Sequence, residues 1–437
     1  MARMFDMPLS NHRRIYGAFL AAHAVPDAIN LMFTGVGCKS KAQRQIAMHD
    51  RVREAGNKMV WSDIGDAEFI RGPAKRLASM AIETCRRREN VGLVVVTTSA
   101  AMEMTGADVE SELAAIRREV GCPVIYLPTA GWDGDLYAGY GEATSAVMAL
   151  APWGSSEGDS RTVCVSGYLF DRYEPDHAAN LREIQRMLGA AGASRGAVFF
   201  SGSSMRTLME APAAGCHLVL PYARRVAAWA GRETGRRVVA TDLPVGIAAS
   251  ARFIVASARL VGLSGETARS LAEAESLRAR PALSGARAYL SGLRVGVLAE
   301  TPMAAGLCSL LLELGMVPVF AGLLDRTLGG KRAFFDALAS SAGALRGCLV
   351  AEDPSAQDVE DVCRRLRGKL GRRDRGRPFD LLIAPDLWLP PSCVDGVKRV
   401  ELGFPSNRWH PVSPEPFIGF AGAVALAHRI AAAEASR

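Results

Sequence analysis

The chain has 437 residues, of which 49% are hydrophobic, 22% charged and 7% aromatic. That composition excludes disordered, collagenous and coiled-coil classes, and the length is too great for a single hydrophobic core. The net charge of +7 is carried almost wholly by arginine, since only seven of the 52 basic residues are lysine. Arginine runs such as Arg86-Arg87-Arg88 have no interleaved aromatics, so they read as solvated faces and predict no nucleic-acid platform.

In chain order, the first block predicts a strand at Ala28–Phe33, a Gly-rich turn, helical stretches through 40–54 and 73–88, and a strand at Gly92–Val96. A helix at Val109–Val120, a strand at Val124–Leu127, a Gly/Asp-rich loop at 131–135 and a helix to about 150 follow. Turn formers at Pro152–Gly158 mark a linker. The second block predicts strands at Thr162–Val165, Ala197–Phe200, His217–Leu220 and Arg237–Ala240, with helices at Asn180–Leu188 and Arg224–Thr234 and an Ala-rich helical region from about 249 to 290. The third predicts strands at Arg294–Leu298, Val317–Phe320, Cys348–Ala351 and Asp380–Ala384, with helices at Ala304–Leu314 and Ala356–Leu370 and a C-terminal helix. Short strands alternating with helices of ten to fifteen residues imply parallel sheets with right-handed crossovers. The expected fold is therefore α/β, three tandem Rossmann-like doubly wound parallel-sheet domains, at 1–157, 158–290 and 291–437. The longest apolar runs are strand-sized and the N-terminus has no signal-peptide pattern, so the expectation is a cytoplasmic protein that does not engage a membrane.

The local motifs exclude several chemistries. Gly35-Val36-Gly37-Cys38-Lys39-Ser40 resembles a phosphate loop at a glance, but Cys38 separates Gly37 from Lys39, whereas a Walker A loop needs Gly-Lys-Ser/Thr contiguous. No Gly-x-Gly-x-x-Gly follows the first strand of any block, and no Gly-x-Ser-x-Gly elbow or His-Glu-x-x-His pair is present. Gly202-Ser203-Ser204 reads as helix capping. Nine cysteines at 38, 85, 122, 164, 216, 308, 348, 363 and 393 include no Cys-x-x-Cys pair, and most sit in apolar contexts.

Cys38 is different. It stands after a strand and a Gly-x-Gly turn, and doubly wound folds bind ligands outside the carboxyl ends of their strands. Two more strand ends of the block carry Thr97-Thr98-Ser99-Ala100 and Thr129-Ala130-Gly131-Trp132, with Glu103 and Asp108 leading into the next helix. A thiolate at that edge reads either as a structural thiol or as an iron–sulfur ligand.

Several segments, in order, resemble nitrogenase component 1 and its relatives. They are Phe33–Cys38 with His49 eleven residues on, Gly65–Gly72, and Val94–Val109 with its Glu-x-x-Gly-x-Asp helix start. The others are Pro123–Pro128 with Gly131–Gly134 and Gly139, Glu401–Pro405, and Pro416–Ala423. The resemblance implies a cluster edge formed by Gly37, Cys38, Ser99, Ala100 and Thr129, with Cys38 as the metal ligand and no catalytic residue assigned. The family's second and third cysteine ligands fall on Ala100 and Thr129, which are not iron ligands. Cys122 precedes its strand, about 20 Å from that edge at roughly 3.3 Å per residue. The resemblance thus implies a [4Fe-4S] cluster shared with a homologous partner subunit that supplies the remaining cysteines, and a separate P-loop ATPase iron–sulfur reductase as electron donor. It implies a nitrogenase-like oxidoreductase subunit or, alternatively, a cofactor-assembly scaffold. His410 and Cys348 are only loosely placed as holders of a larger cofactor and read as structural. Without the resemblance, a sugar-nucleotide or small-molecule binding protein of glycosyltransferase-like fold is the remaining reading.

Overall fold

The computed structural model describes all residues except 1–6, 11, 36–38, 41–47, 51–58, 73, 130–133, 155–156, 369–375 and 436–437. The chain opens with helix α1 (Arg14–His23), strands β1 (Ala28–Phe33) and β2 (Met59–Trp61), and helices α2 (Asp66–Arg71) and α3 (Lys75–Arg87). Strand β3 (Leu93–Thr98), helices α4 (Ala100–Glu103) and α5 (Val109–Glu119), strand β4 (Val124–Leu127) and helix α6 (Leu136–Met148) complete the first sheet region. The second contains β5 (Asp159–Ser166), α7 (Pro175–Ala190), β6 (Ser194–Val198), α8 (Met205–Met209), β7 (Ala214–Val219), α9 (Arg224–Glu233) and β8 (Arg237–Ala240).

Two helices, α10 (Gly246–Leu260) and α11 (Gly265–Leu290), lead into the third region. That region runs β9 (Arg294–Ala299), α12 (Thr301–Glu313), β10 (Val317–Leu323), α13 (Gly330–Ala337), β11 (Leu349–Glu352), α14 (Ala356–Gly368), β12 (Leu381–Ala384), α15 (Pro391–Val394), β13 (Lys398–Glu401) and α16 (Gly419–Ala435). All ladders between these strands are parallel, with orders β2-β1-β3-β4, β6-β5-β7-β8 and β11-β10-β9-β12-β13. Each sheet reverses direction once, between β1 and β3, β5 and β7, and β9 and β12, as doubly wound sheets do. The α/β expectation holds.

The chain forms two compact units. One comprises His12–Glu174 and Ser194–Ala240 and contains the first two sheets; the other comprises Pro175–Ala193 and Thr241–Arg437, with the described residues before His12, and contains the third sheet. In the first unit, β1 and β3 are buried along their whole length. Leu31, Phe33, Val94 and Val96 turn one face toward Leu77 of α3 and Leu113 and Ile116 of α5. Burial on both faces explains why these strands read as continuous apolar runs instead of alternating patterns. Helix α1 crosses α6 backbone to backbone. A Cβ on Gly17 would collide with the Leu136 carbonyl and lie 2.6 Å from Tyr140 N, and one on Gly139 would collide with the Arg14 carbonyl. Only glycine permits so close an approach.

The expected single helical region from 249 to 290 is broken in two. Gly262 takes φ +91°, and the Ser264 hydroxyl accepts the Thr267 N–H at 3.1 Å to cap α11. Helices α1, α2, α13 and α15 and strands β2 and β13 were not anticipated from the sequence. The last, Lys398-Arg399-Val400-Glu401, is a charged edge strand.

His217 in β7 is wholly buried, 2.9 Å from Ser166 Oγ through Nε2, with Trp153 and Phe199 stacked about its ring. Burial with no countercharge pulls its imidazolium pKa down to about 4. The unfolded chain takes up this proton near pH 6.5 and the folded chain only near 4, so stability falls as pH drops through that window and levels off below it. Urea midpoints measured from pH 7 to 4 should show His217→Gln losing less stability than the native chain, by on the order of 3 kcal/mol over the window.

Candidate functional site at the carboxyl edge of the first sheet

The carboxyl ends of β1, β3 and β4 all emerge on one edge because the strands are parallel and in register. From β1 the chain passes through Thr34, whose N–H donates to Ser62 Oγ at 2.8 Å while Ser62 Oγ donates to the Thr34 carbonyl at 2.8 Å. Gly35 bridges Ile64, and Lys39 Nζ meets Asp63 Oδ2 at 2.6 Å. Asp63 itself takes φ +47°. Gly37 and Cys38 lie between these anchors, outside the described residues.

From β3 the Ser99 N–H donates to the Phe33 carbonyl at 3.2 Å, and the Ser99 carbonyl accepts from Met102 and Glu103 as α4 begins. Ser99 Oγ is buried and has no hydrogen-bond partner among the described residues. Ala100 opens α4 and offers only a methyl group. At the end of β4, Thr129 is buried and locked to β3. Its hydroxyl donates to the Thr98 carbonyl at 2.5 Å and accepts from Thr98 N at 3.2 Å, while its own N–H reaches Thr98 Oγ1 at 3.3 Å. Thr98 Oγ1 in turn donates to Glu103. Thr129 therefore commits its hydroxyl proton to a backbone carbonyl, which disfavours metal ligation.

The family-like segments divide by role. Asp108 caps α5 through Ser111 N at 3.1 Å, and at the start of α2 the Glu68 carboxylate reaches back to the Gly65 N–H, which donates to Glu68 Oε2 at 3.1 Å. Glu401 accepts from Ser406 Oγ (2.8 Å), Arg408 N (3.0 Å) and Trp409 N (3.2 Å), so the first closing segment is a folded turn. Asn180 Oδ1 accepts from Phe417 N at 2.9 Å, and Glu183 Oε1 from Ala421 N at 3.2 Å, seating α16 on α7. His410 bonds the Asn407 carbonyl, and burial pushes the Cys348 thiol up to about 12; both are structural. Cys122 packs with Cys85 on the core of the first sheet, before β4 and away from its carboxyl end.

A second polar cluster in the same unit was not visible in the sequence. His23 Nε2 lies 2.8 Å from Asp50 Oδ2, the Tyr173 hydroxyl donates to the His23 carbonyl at 2.6 Å, and His49 Nε2 lies 3.2 Å from Asp171 Oδ2. His49 stood in a family-like segment; its carboxylate partner, far along the chain, had no local signature.

The donors at the edge test what it can hold. The described residues contribute no thiol there, and no group of three or more His, Cys, Asp or Glu among them is placed to bind a metal. Cys38, the thiol expected at this edge from the sequence, lies outside the described residues; one thiolate could give a cluster a single ligand and not a full set of four, while the buried Ser99 hydroxyl has no hydrogen-bond partner among the described residues.

Comparison with known proteins gives consistent results. The sequence profile of nitrogenase component 1 type oxidoreductases matches residues 14–434. The chain is 24% identical over 446 residues to a nitrogenase molybdenum-iron protein beta chain of Frankia alni, covering 94% of this chain and 79% of that one. It is 29% identical over 164 residues to a nitrogenase iron-molybdenum cofactor biosynthesis protein NifN of Rhizobium meliloti (strain 1021), covering 36% of each. Its fold matches structures of nitrogenase Cp1 at pH 6.5 (TM-score 0.81, 17% identity, 99% of this chain and 94% of that one) and at pH 5 (0.71, 14%, 96% and 88%).

The Thr129 lock makes a direct prediction. Thr129→Val leaves the Thr98 carbonyl and N–H buried without their partner and should destabilise the chain by about 1–3 kcal/mol in urea denaturation. Iron content of the purified protein should not change.

Proposed function

Since the chain belongs to the nitrogenase component 1 type oxidoreductase family, we propose that it is the subunit of a nitrogenase-like complex that contributes one cysteine ligand. In this reading Cys38 gives one ligand to a [4Fe-4S] cluster, and a homologous partner subunit gives the others. The observation that carries the proposal is the donor set of the edge. Ala100 has no heteroatom, Thr129 is bound to the β3 backbone, and Cys38 is the thiol that remains. A cluster bound there would supply one-electron relay toward a substrate. The chain's own residues would provide one thiolate, a donor hydroxyl from Ser99, and a scaffold fixed by the Thr34–Ser62 and Thr98–Thr129 bonds.

The surroundings of the edge favour a partner. Family members named by the likenesses above are subunits, and in this chain Ile70 of α2 and Met104, just after α4, are exposed apolar side chains available to an interface. The electron donor would be a separate P-loop ATPase iron–sulfur reductase, since the Gly35–Ser40 turn is no Walker A loop. The likeness to NifN supports a second reading, a cofactor-assembly scaffold with the same cluster and no turnover on a final substrate. A reductase-dependent turnover assay on the intact complex separates the two. Family membership leaves the sugar-nucleotide reading without support.

Anaerobic co-purification with the homologous partner tests the cluster. Cys38→Ala should keep the heteromer while the iron content falls by about four per heterodimer and the cluster EPR signal is lost. Unchanged iron and signal in that variant would refute Cys38 as a ligand.

A further inference from the structure

Away from the cluster edge, Cys85 and Cys122 meet on the first unit. Cys85 lies in the last turn of α3, and Cys122 lies two residues before β4. Both thiols are partly exposed, both pack on the core formed by α3, α5 and the sheet, and their sulfurs share a hydrogen bond. Helix carboxyl ends and strand amino ends fall on the same side of a parallel α/β layer, so the pair sits opposite the edge that carries Ser99 and Thr129.

From these contacts we propose that Cys85 and Cys122 form a reversible dithiol site that reacts with small-molecule disulfides such as oxidised glutathione. The surrounding charges assign the roles. Arg88 favours a thiolate at Cys85, whereas Asp27 disfavours one at Cys122. The hydrogen bond with Cys122 and the charge of Arg88 draw the Cys85 thiol down to about 7, against the desolvation of its half-buried site. A thiolate with a pKa near ambient pH is well suited to thiol–disulfide exchange.

The exchange balances in two steps. The Cys85 thiolate attacks one sulfur of oxidised glutathione, forming a mixed disulfide and expelling one glutathione thiolate. Cys122 then loses its proton to solvent and attacks the Cys85 sulfur, expelling the second glutathione. The two protein thiols are oxidised to one disulfide, and the reagent is reduced to two thiols. The bond ties the end of α3 to the entrance of β4, and excess glutathione reverses it.

Cys363 and Cys393 are the built-in reference. Their sulfurs also share a hydrogen bond, but both side chains are fully buried, closing them to the reagent. Native protein is treated with oxidised glutathione near pH 7.5, quenched by alkylation and mapped by peptide mass spectrometry. The expected result is a Cys85–Cys122 disulfide that dithiothreitol reverses. In Cys122→Ser, Cys85 should retain one glutathionyl group, formed about tenfold faster than the adduct on Cys122 in Cys85→Ser. The proposal is overturned if the native chain keeps both thiols free to alkylate, if Cys85 in Cys122→Ser carries no glutathionyl group, or if Cys122 in Cys85→Ser reacts as fast. Because the first readout uses the unmodified chain, it does not depend on either variant folding.

Discussion

Three hydrogen bonds between Thr98 and Thr129 hold the ends of two adjacent parallel strands together. Such contacts are strong because they are buried: each backbone group they satisfy would otherwise be orphaned at the place where the ladder between β3 and β4 stops. The lock fixes the shape of the carboxyl edge and also decides its chemistry. A threonine hydroxyl that gives its proton to a neighbouring carbonyl cannot offer iron an alkoxide without breaking that bond, and the Ala100 side chain is only a methyl group. In the proposed reading the edge would give a cluster one thiolate, with Thr129 held by structural bonds and Ala100 bearing no donor. This asymmetry links the geometry to the proposed dependence on a partner chain.

Other family-like segments serve the fold. Asn180 and Glu183 on α7 satisfy the amides where α16 begins, and Glu313 accepts from Ile247 N and Ala248 N, both at 3.0 Å, at the start of α10. Carboxylates and amide oxygens at helix amino ends replace missing intrahelical acceptors and favour the positive end of the helix dipole. The Pro416–Ala423 segment is therefore a docking element for the last helix.

Much of the architecture could be read from the sequence because each sheet is covered on both faces. Leu93–Thr98 and Leu381–Ala384 are buried throughout and announce themselves as apolar runs between helix-length amphipathic stretches. Lys398–Glu401 escaped because an edge strand tolerates charge, and Met59–Trp61 because three residues carry no period. At the site, spacing alone placed Ala100 and Thr129 on their strand ends. It could not show that the Thr129 hydroxyl is spent on β3, that Ser62 closes the exit of β1, or that His49 meets Asp171. These contacts join residues far apart in sequence, and nothing local to either partner encodes them.

In the proposed function this chain supplies one thiolate to a cluster completed by another. A crystal structure of the anaerobically purified complex, with anomalous diffraction collected at the iron edge, tests it most directly. Iron should be bonded to the Cys38 sulfur, with the three remaining ligands from the partner subunit and no iron bonded to Ala100 or Thr129. Iron bound wholly within the partner, with Cys38 out of bonding reach, would contradict it.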